Sequence, residues 1–118
     1  MTPDERDLKH SDVLYDYIKF HLGLYIATPA GLAIVAAALG VAEQSSFRNG
    51  MIALAAIYFA AGLHASWTIA RYVNVSWEAD RNWADFGKQA SSCLRRLIHH
   101  YLYWLGLFFG LGGLVWPW

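Results

Sequence analysis

The chain has 118 residues, with nine basic and nine acidic side chains and so no formal net charge, and only 15% of its residues are charged. Hydrophobic residues make up 57% of it, more apolar surface than one small soluble domain can hide. Zero net charge excludes bulk nucleic-acid binding, and a single cysteine, Cys93, excludes an internal disulfide.

The chain opens with Thr2-Pro3-Asp4-Glu5, a helix start with a Thr cap, a Pro at the first helical position and Glu three residues after the cap. Leu8, Leu14, Tyr15, Tyr17 and Ile18 give this N-terminal helix a partly apolar face. Polar and mixed residues fill the stretch before Leu22, so no cleavable signal peptide is expected. An uncharged block over residues 22–42 follows. About 20 apolar residues cross the hydrocarbon layer as a helix, because lipid offers backbone groups no partner. Pro29 predicts a local kink near the middle of this first span.

The connection Glu43–Gly50 is short, which makes the first and second spans antiparallel neighbours. The second span covers 51–70, and its most polar member is His64. In the longer connection, Ser76 caps a helix with Glu78 and Asp80 in its first turn. Trp83, Phe86, Ala90, Leu94, Leu97 and Tyr101 then recur three or four apart. That spacing predicts an amphipathic helix at about 77–97, lying on the membrane or on a neighbouring subunit. The third span covers 99–116. The expected fold is therefore an all-α integral membrane protein. It has three transmembrane helices, an N-terminal helix and one amphipathic helix, all in a single domain, 1–118.

Lys and Arg accumulate on the cytoplasmic side of membrane proteins. With the N-terminus inside, that side carries Arg6, Lys9, Lys19, Arg71, Arg81, Lys88, Arg95 and Arg96, eight cations against Arg48 alone outside. The expectation is an inner (plasma) membrane location, with the N-terminus cytoplasmic and the C-terminus outside.

Ionisable groups inside a membrane are costly and draw attention to function. Four of the five histidines lie at or near the spans, all in the half expected to face the cytoplasm. His21 stands at the mouth of span one, His99 and His100 at that of span three, and His64 lies more than a turn deep in span two. Tyr17, His21 and Tyr25 share one helical face, as do Ala60, His64, Thr68 and Arg71, and likewise Arg96, His100 and Tyr103. Three such stripes suit a cavity open to the cytoplasm. The candidate cluster is His21, His64, Arg71, His100, Tyr17 and Tyr103, whereas the outer half is apolar apart from Thr28 near the middle. Gly106, Gly110 and Gly113 give span three a flat face, and Ala56 and Ala60 do the same for span two. Such faces let helices approach closely, either within one bundle or between copies.

The spans hold no Ser-Lys or Ser-His pair, no HExxH and no acidic pair, so an enzyme is not expected. The favoured expectation is a non-enzymatic homo-oligomer in contact with membrane lipids, a pore, channel-like or membrane-perturbing assembly with no cofactor and no metal. An accessory role in a larger membrane complex fits the same features. The alternative is an anchor or electron-transfer subunit that holds b-type haem or quinone through His64 and a second histidine, His21 or His100. Three spans with His64-Ala65 in the second are loosely similar to small succinate dehydrogenase anchor subunits, which implies that alternative. Arg71-Tyr72 departs from the acidic-aromatic pair that the resemblance calls for.

Overall fold

A computed structural model describes residues 3–77 and 93–116, and every described element is helical. Helix α1 is Pro3–Leu39, α2 is Ser45–Trp77 and α3 is Cys93–Val115. All three contain a stretch long and apolar enough to cross a membrane. At a rise of about 1.5 Å per residue they run to about 55, 50 and 35 Å, against a hydrocarbon layer of about 30 Å.

Two expected boundaries change. No separate N-terminal helix precedes the first span, because one helix runs from Pro3 to Leu39. It also continues through Pro29, whose missing N–H releases only the Tyr25 carbonyl. The first span stops at Leu39 rather than residue 42. Gly40 there adopts φ 73°, Gly40 N–H donates to the Ala37 carbonyl at 3.2 Å, and Val41 N–H donates to that of Ala36 at 2.9 Å. These two bonds close the helix end, and the left-handed residue between them is one that only glycine adopts cheaply. Of the amphipathic helix expected at about 77–97, residues 78–92 lie outside the described residues.

Each helix buries a row of residues seven apart. The rows are Ser11, Ile18, Tyr25 and Leu32 on α1, then Phe47, Leu54, Ala61 and Thr68 on α2, and His99, Gly106 and Gly113 on α3. Seven-residue spacing is that of helices wound left-handedly along a common seam. Away from the seam the side chains face outward. Only 17%, 28% and 22% of the apolar stretches of α1, α2 and α3 are buried inside the bundle.

The glycines of α3 set how near the helices come. A Cβ on Gly106 would run into the Tyr58 ring. One on Gly110 would lie 2.7 Å from the tips of both Leu32 and Leu54. One on Gly113 would lie 2.6 Å from the Ser46 carbonyl and 3.1 Å from Gly50 Cα. Backbone therefore meets backbone where Gly113 crosses Gly50. The expected small face of α2 is different. Ala56 and Ala60 point outward, while Leu54, Tyr58, Ala61 and Ala65 are buried.

At the end that holds Pro3, α1 and α2 continue beyond α3's apolar stretch as a pair. Leu14, Ile18 and Ala65 pack there with Ile69 and Tyr72, Tyr15 stacks on Tyr72 at 4.5 Å, and the Tyr72 hydroxyl donates to the Asp12 carboxylate.

Candidate functional site, a buried histidine–tyrosine chain

The seam carries polar groups where three helices meet. His99 is 0% exposed, although it sits in the first apolar turns of α3. Position 99 precedes Gly106 and Gly113 by seven and fourteen residues, so its side chain enters the bundle on the same line as the glycines. Tyr25 and His64 meet it from α1 and α2.

The directions of these hydrogen bonds follow from proton counting. Tyr25 has one hydroxyl proton and the carbonyl of His99 only accepts, so that proton serves the carbonyl at 3.1 Å. His99 Nδ1, also 3.1 Å from the phenol oxygen, is then a donor to it. With its proton on Nδ1, a neutral His99 keeps a lone pair on Nε2, which accepts from His64 Nδ1–H at 3.0 Å. The two imidazole centroids are 5.0 Å apart. One directed run thus ties α2 to α3 and α3 to α1. Buried polar groups need partners of this kind, most of all in an apolar setting. Among the described residues no buried side-chain nitrogen or oxygen lacks a hydrogen bond.

Around this run lies a second layer. His21 is 5% exposed, donates from Nδ1 to the Tyr17 carbonyl at 2.9 Å, and packs tilted against the Tyr17 ring with centroids 4.3 Å apart. Its ring centroid stands 6.4 Å from those of His99, His100 and Tyr103. Further along the bundle, the Tyr58 hydroxyl donates to the Tyr103 carbonyl at 2.9 Å, the two rings are stacked 9° from parallel, and Thr28 reaches the Tyr103 hydroxyl at 3.4 Å. Beyond Thr28 the seam turns apolar, with Leu32, Leu54 and Ala36 buried, until Ser46 at its far end. Among the described residues these polar side chains form a packed column over one half of the seam.

The structure separates the expected cluster into members and neighbours. His21, His64, Tyr17 and Tyr103 belong to the column. His100 is exposed and accepts from Trp104 Nε1 at 3.1 Å, so its neighbour His99 takes the place expected of it. Arg71 lies two turns past His64 and packs over the Trp67 ring at 5.2 Å. His64 also bonds His99 directly, which removes the apparent mismatch in depth between it and the other histidines. Sequence reasoning placed Tyr25 on the right face and missed His99, although the seven-residue step to Gly106 and Gly113 marks it.

His64 and His99, as they stand, do not bracket a haem iron. Metal–imidazole bonds are about 2 Å, so two nitrogens straddling an iron stand about 4 Å apart with a macrocycle between them. His64 and His99 approach to 3.0 Å and bond each other. Among the described residues no three His, Cys, Asp or Glu side chains gather as metal ligands would. Comparison with known protein families, with curated proteins and with solved structures returns no match.

Proposed function

We propose that the protein is a small non-enzymatic, multi-pass protein of the inner membrane that acts as a homo-oligomer, a pore-like or membrane-perturbing assembly. Its N-terminus lies in the cytoplasm and its C-terminus outside, the orientation favoured by eight cations against one.

The observation that carries the assembly is an open face on α1. Gly23, Ala27 and Gly31 are four residues apart and exposed, and a Cβ on either glycine would meet nothing within 4 Å. Gly106, Gly110 and Gly113 of α3, by contrast, face atoms of their own chain. Helix faces of this kind associate in lipid by close backbone approach. The groove beside Gly23 is lined by Asp16, Lys19, Phe20, Leu24 and Ala27. Two copies paired about a twofold axis bring Asp16 of one towards Lys19 of the other, a complementary contact at the rim.

The test is the mass of the protein in nanodiscs for wild type, Gly23→Ile and Gly31→Ile, together with dye leakage from liposomes. The expected result is several copies and leakage for wild type. Both variants should become single copies of unchanged helicity and lose leakage. A wild type that stays a single copy at every lipid dilution overturns the assembly. An assembly unaffected by both substitutions moves the contact off α1.

A further inference from the structure

We propose that the groove beside Gly23 holds one phospholipid of the phosphatidylethanolamine type, and that this lipid competes with a second copy of the chain for the same face of α1. The competition presupposes that this face is the contact between copies. The lipid is what covers it when a copy stands alone.

The groove encloses about 460 Å³, within the range of about 300–1,000 Å³ seen for clefts that hold small ligands. Its lining changes character along the helix. Asp16 and Lys19 stand at one end, and Phe20, Gly23, Leu24 and Ala27 continue from there. About 20 residues cross the hydrocarbon layer. Counting back from Leu39, the last residue of α1, puts the edge of that layer near residue 20. The two charges therefore lie at headgroup level, and the apolar lining lies alongside the acyl chains. A Cβ on Gly23 would meet nothing within 4 Å, so an acyl chain can lie against bare backbone there.

The charges decide the headgroup. Asp16 and Lys19 are exposed and three residues apart, a spacing that permits an ion pair, yet none joins them. Lys19 instead reaches back over the Tyr15 ring, 5.8 Å from its centroid. In paired copies each of these groups meets its opposite from the other chain. In a single copy one headgroup can meet both. Its phosphate accepts from Lys19 Nζ, and its primary ammonium donates to the Asp16 carboxylate. The lipid thus presents to the groove the same two charges as a second copy. A choline headgroup cannot do so. Its quaternary ammonium has no N–H to donate and is held instead by aromatic faces. Tyr15, the ring beside these charges, is already engaged, stacked on Tyr72 at 4.5 Å and covered by Lys19. An anionic glycerol headgroup brings a phosphate for Lys19 and only like charge for Asp16. A lipid bound to the single copy and displaced on assembly holds copies apart by mass action.

The experiment is native mass measurement of the full chain released from phosphatidylcholine nanodiscs. These contain matched amounts of phosphatidylethanolamine or phosphatidylglycerol with the same acyl chains, and retained lipid is read on the single-chain peak. Gly31 lies outside the groove lining, so Gly31→Ile separates the copies and keeps the lipid site, whereas Gly23→Ile fills it. One phosphatidylethanolamine should stay on Gly31→Ile, preferred about tenfold over either other lipid, the worth of one charge-assisted hydrogen bond. Adding Asp16→Asn or Lys19→Gln to that variant should abolish the preference, as should Gly23→Ile. Equal retention of the three lipids, a preference for phosphatidylglycerol, or a preference unchanged in both charge variants overturns the lipid site. In wild type, adding phosphatidylethanolamine should raise about tenfold the protein-to-lipid ratio at which copies associate. A ratio that does not move while the lipid is retained overturns the competition. A wild type that stays a single copy in every lipid overturns the assembly and the competition with it, while retention by Gly31→Ile still decides the lipid site.

Discussion

Removing either histidine of the buried pair should cost more than its share of removing both. His64→Leu leaves His99 Nε2 facing an apolar side chain, and His99→Leu does the same to His64 Nδ1 while also removing the imidazole donor to the Tyr25 phenol oxygen, whose own proton keeps the backbone carbonyl at position 99. An unsatisfied buried polar group costs about 1–3 kcal/mol. Interhelical hydrogen bonds in membranes are worth about 0.6 kcal/mol on average and reach about 1.7. Each single variant is therefore expected to lower stability by about 1–3 kcal/mol, and the double variant by less than the sum. Thermal unfolding of the four proteins in nanodiscs measures the coupling, and strict additivity would show the rings to be energetically independent. The choice between His99 and His100 is also made at this scale. The two are adjacent, so they point about 100° apart on a helix, and only one can enter the bundle. The polarity of the residues does not decide which. The helix phase does, and it is fixed by Gly106 and Gly113, where any side chain would clash.

Helix phase and helix ends belong to the scale of the element, where the glycines divide into two kinds. Gly113→Ala must displace backbone, since the new methyl would meet the Ser46 carbonyl at 2.6 Å. Gly106→Ala must displace the buried Tyr58 ring. Overpacking of this sort costs about 1–3 kcal/mol. Gly112→Ala meets nothing within 4 Å and replaces a poor helix former by the best one, a gain of up to about 1 kcal/mol. Unfolding midpoints in detergent should place Gly113→Ala and Gly106→Ala below wild type, and Gly112→Ala at or above it. Equal effects at all three positions would mean that α3 does not cross α2 through this face. The sequence made the flat face of α3 readable, because glycines three and four apart align on any helix. It left open which neighbour fills that face. It also offered Ala56 and Ala60 as the matching surface of α2, whereas the buried positions are Ala61 and Ala65. A small residue tolerates both lipid and a packed seam, so alanine alone carries no phase. Gly40 was likewise visible as a glycine, but its role as the stop of α1 depends on a positive φ that composition does not specify.

For the whole molecule, the layout of three long apolar helices is legible because crossing a bilayer would demand it. Backbone groups in lipid must bond within their own helix, so each crossing appears as a long uncharged block whatever its packing. Length cues were weaker, since α1 and α2 run well past the layer that their apolar residues match. The proposed orientation has its own check. Cys93→Ser removes the native thiol, and Gln44→Cys then places one in the connection between α1 and α2. In intact cells a membrane-impermeant maleimide should label that residue, and should label an added cysteine at Lys9 only after lysis. The reverse pattern would invert the topology. One last consequence concerns the order in which the three hydrogen-bonding partners are made. Tyr25, His64 and His99 emerge from the ribosome in that sequence, and the last two are 35 residues apart. At synthesis rates of about 5–20 residues per second, His64 waits about 2–7 s for its partner. During that interval span two holds an imidazole with no third helix to satisfy it, so the half-made protein should linger beside the insertion machinery until α3 arrives. Slow codons between positions 64 and 99 would lengthen that exposure and lower the yield of correctly inserted chains.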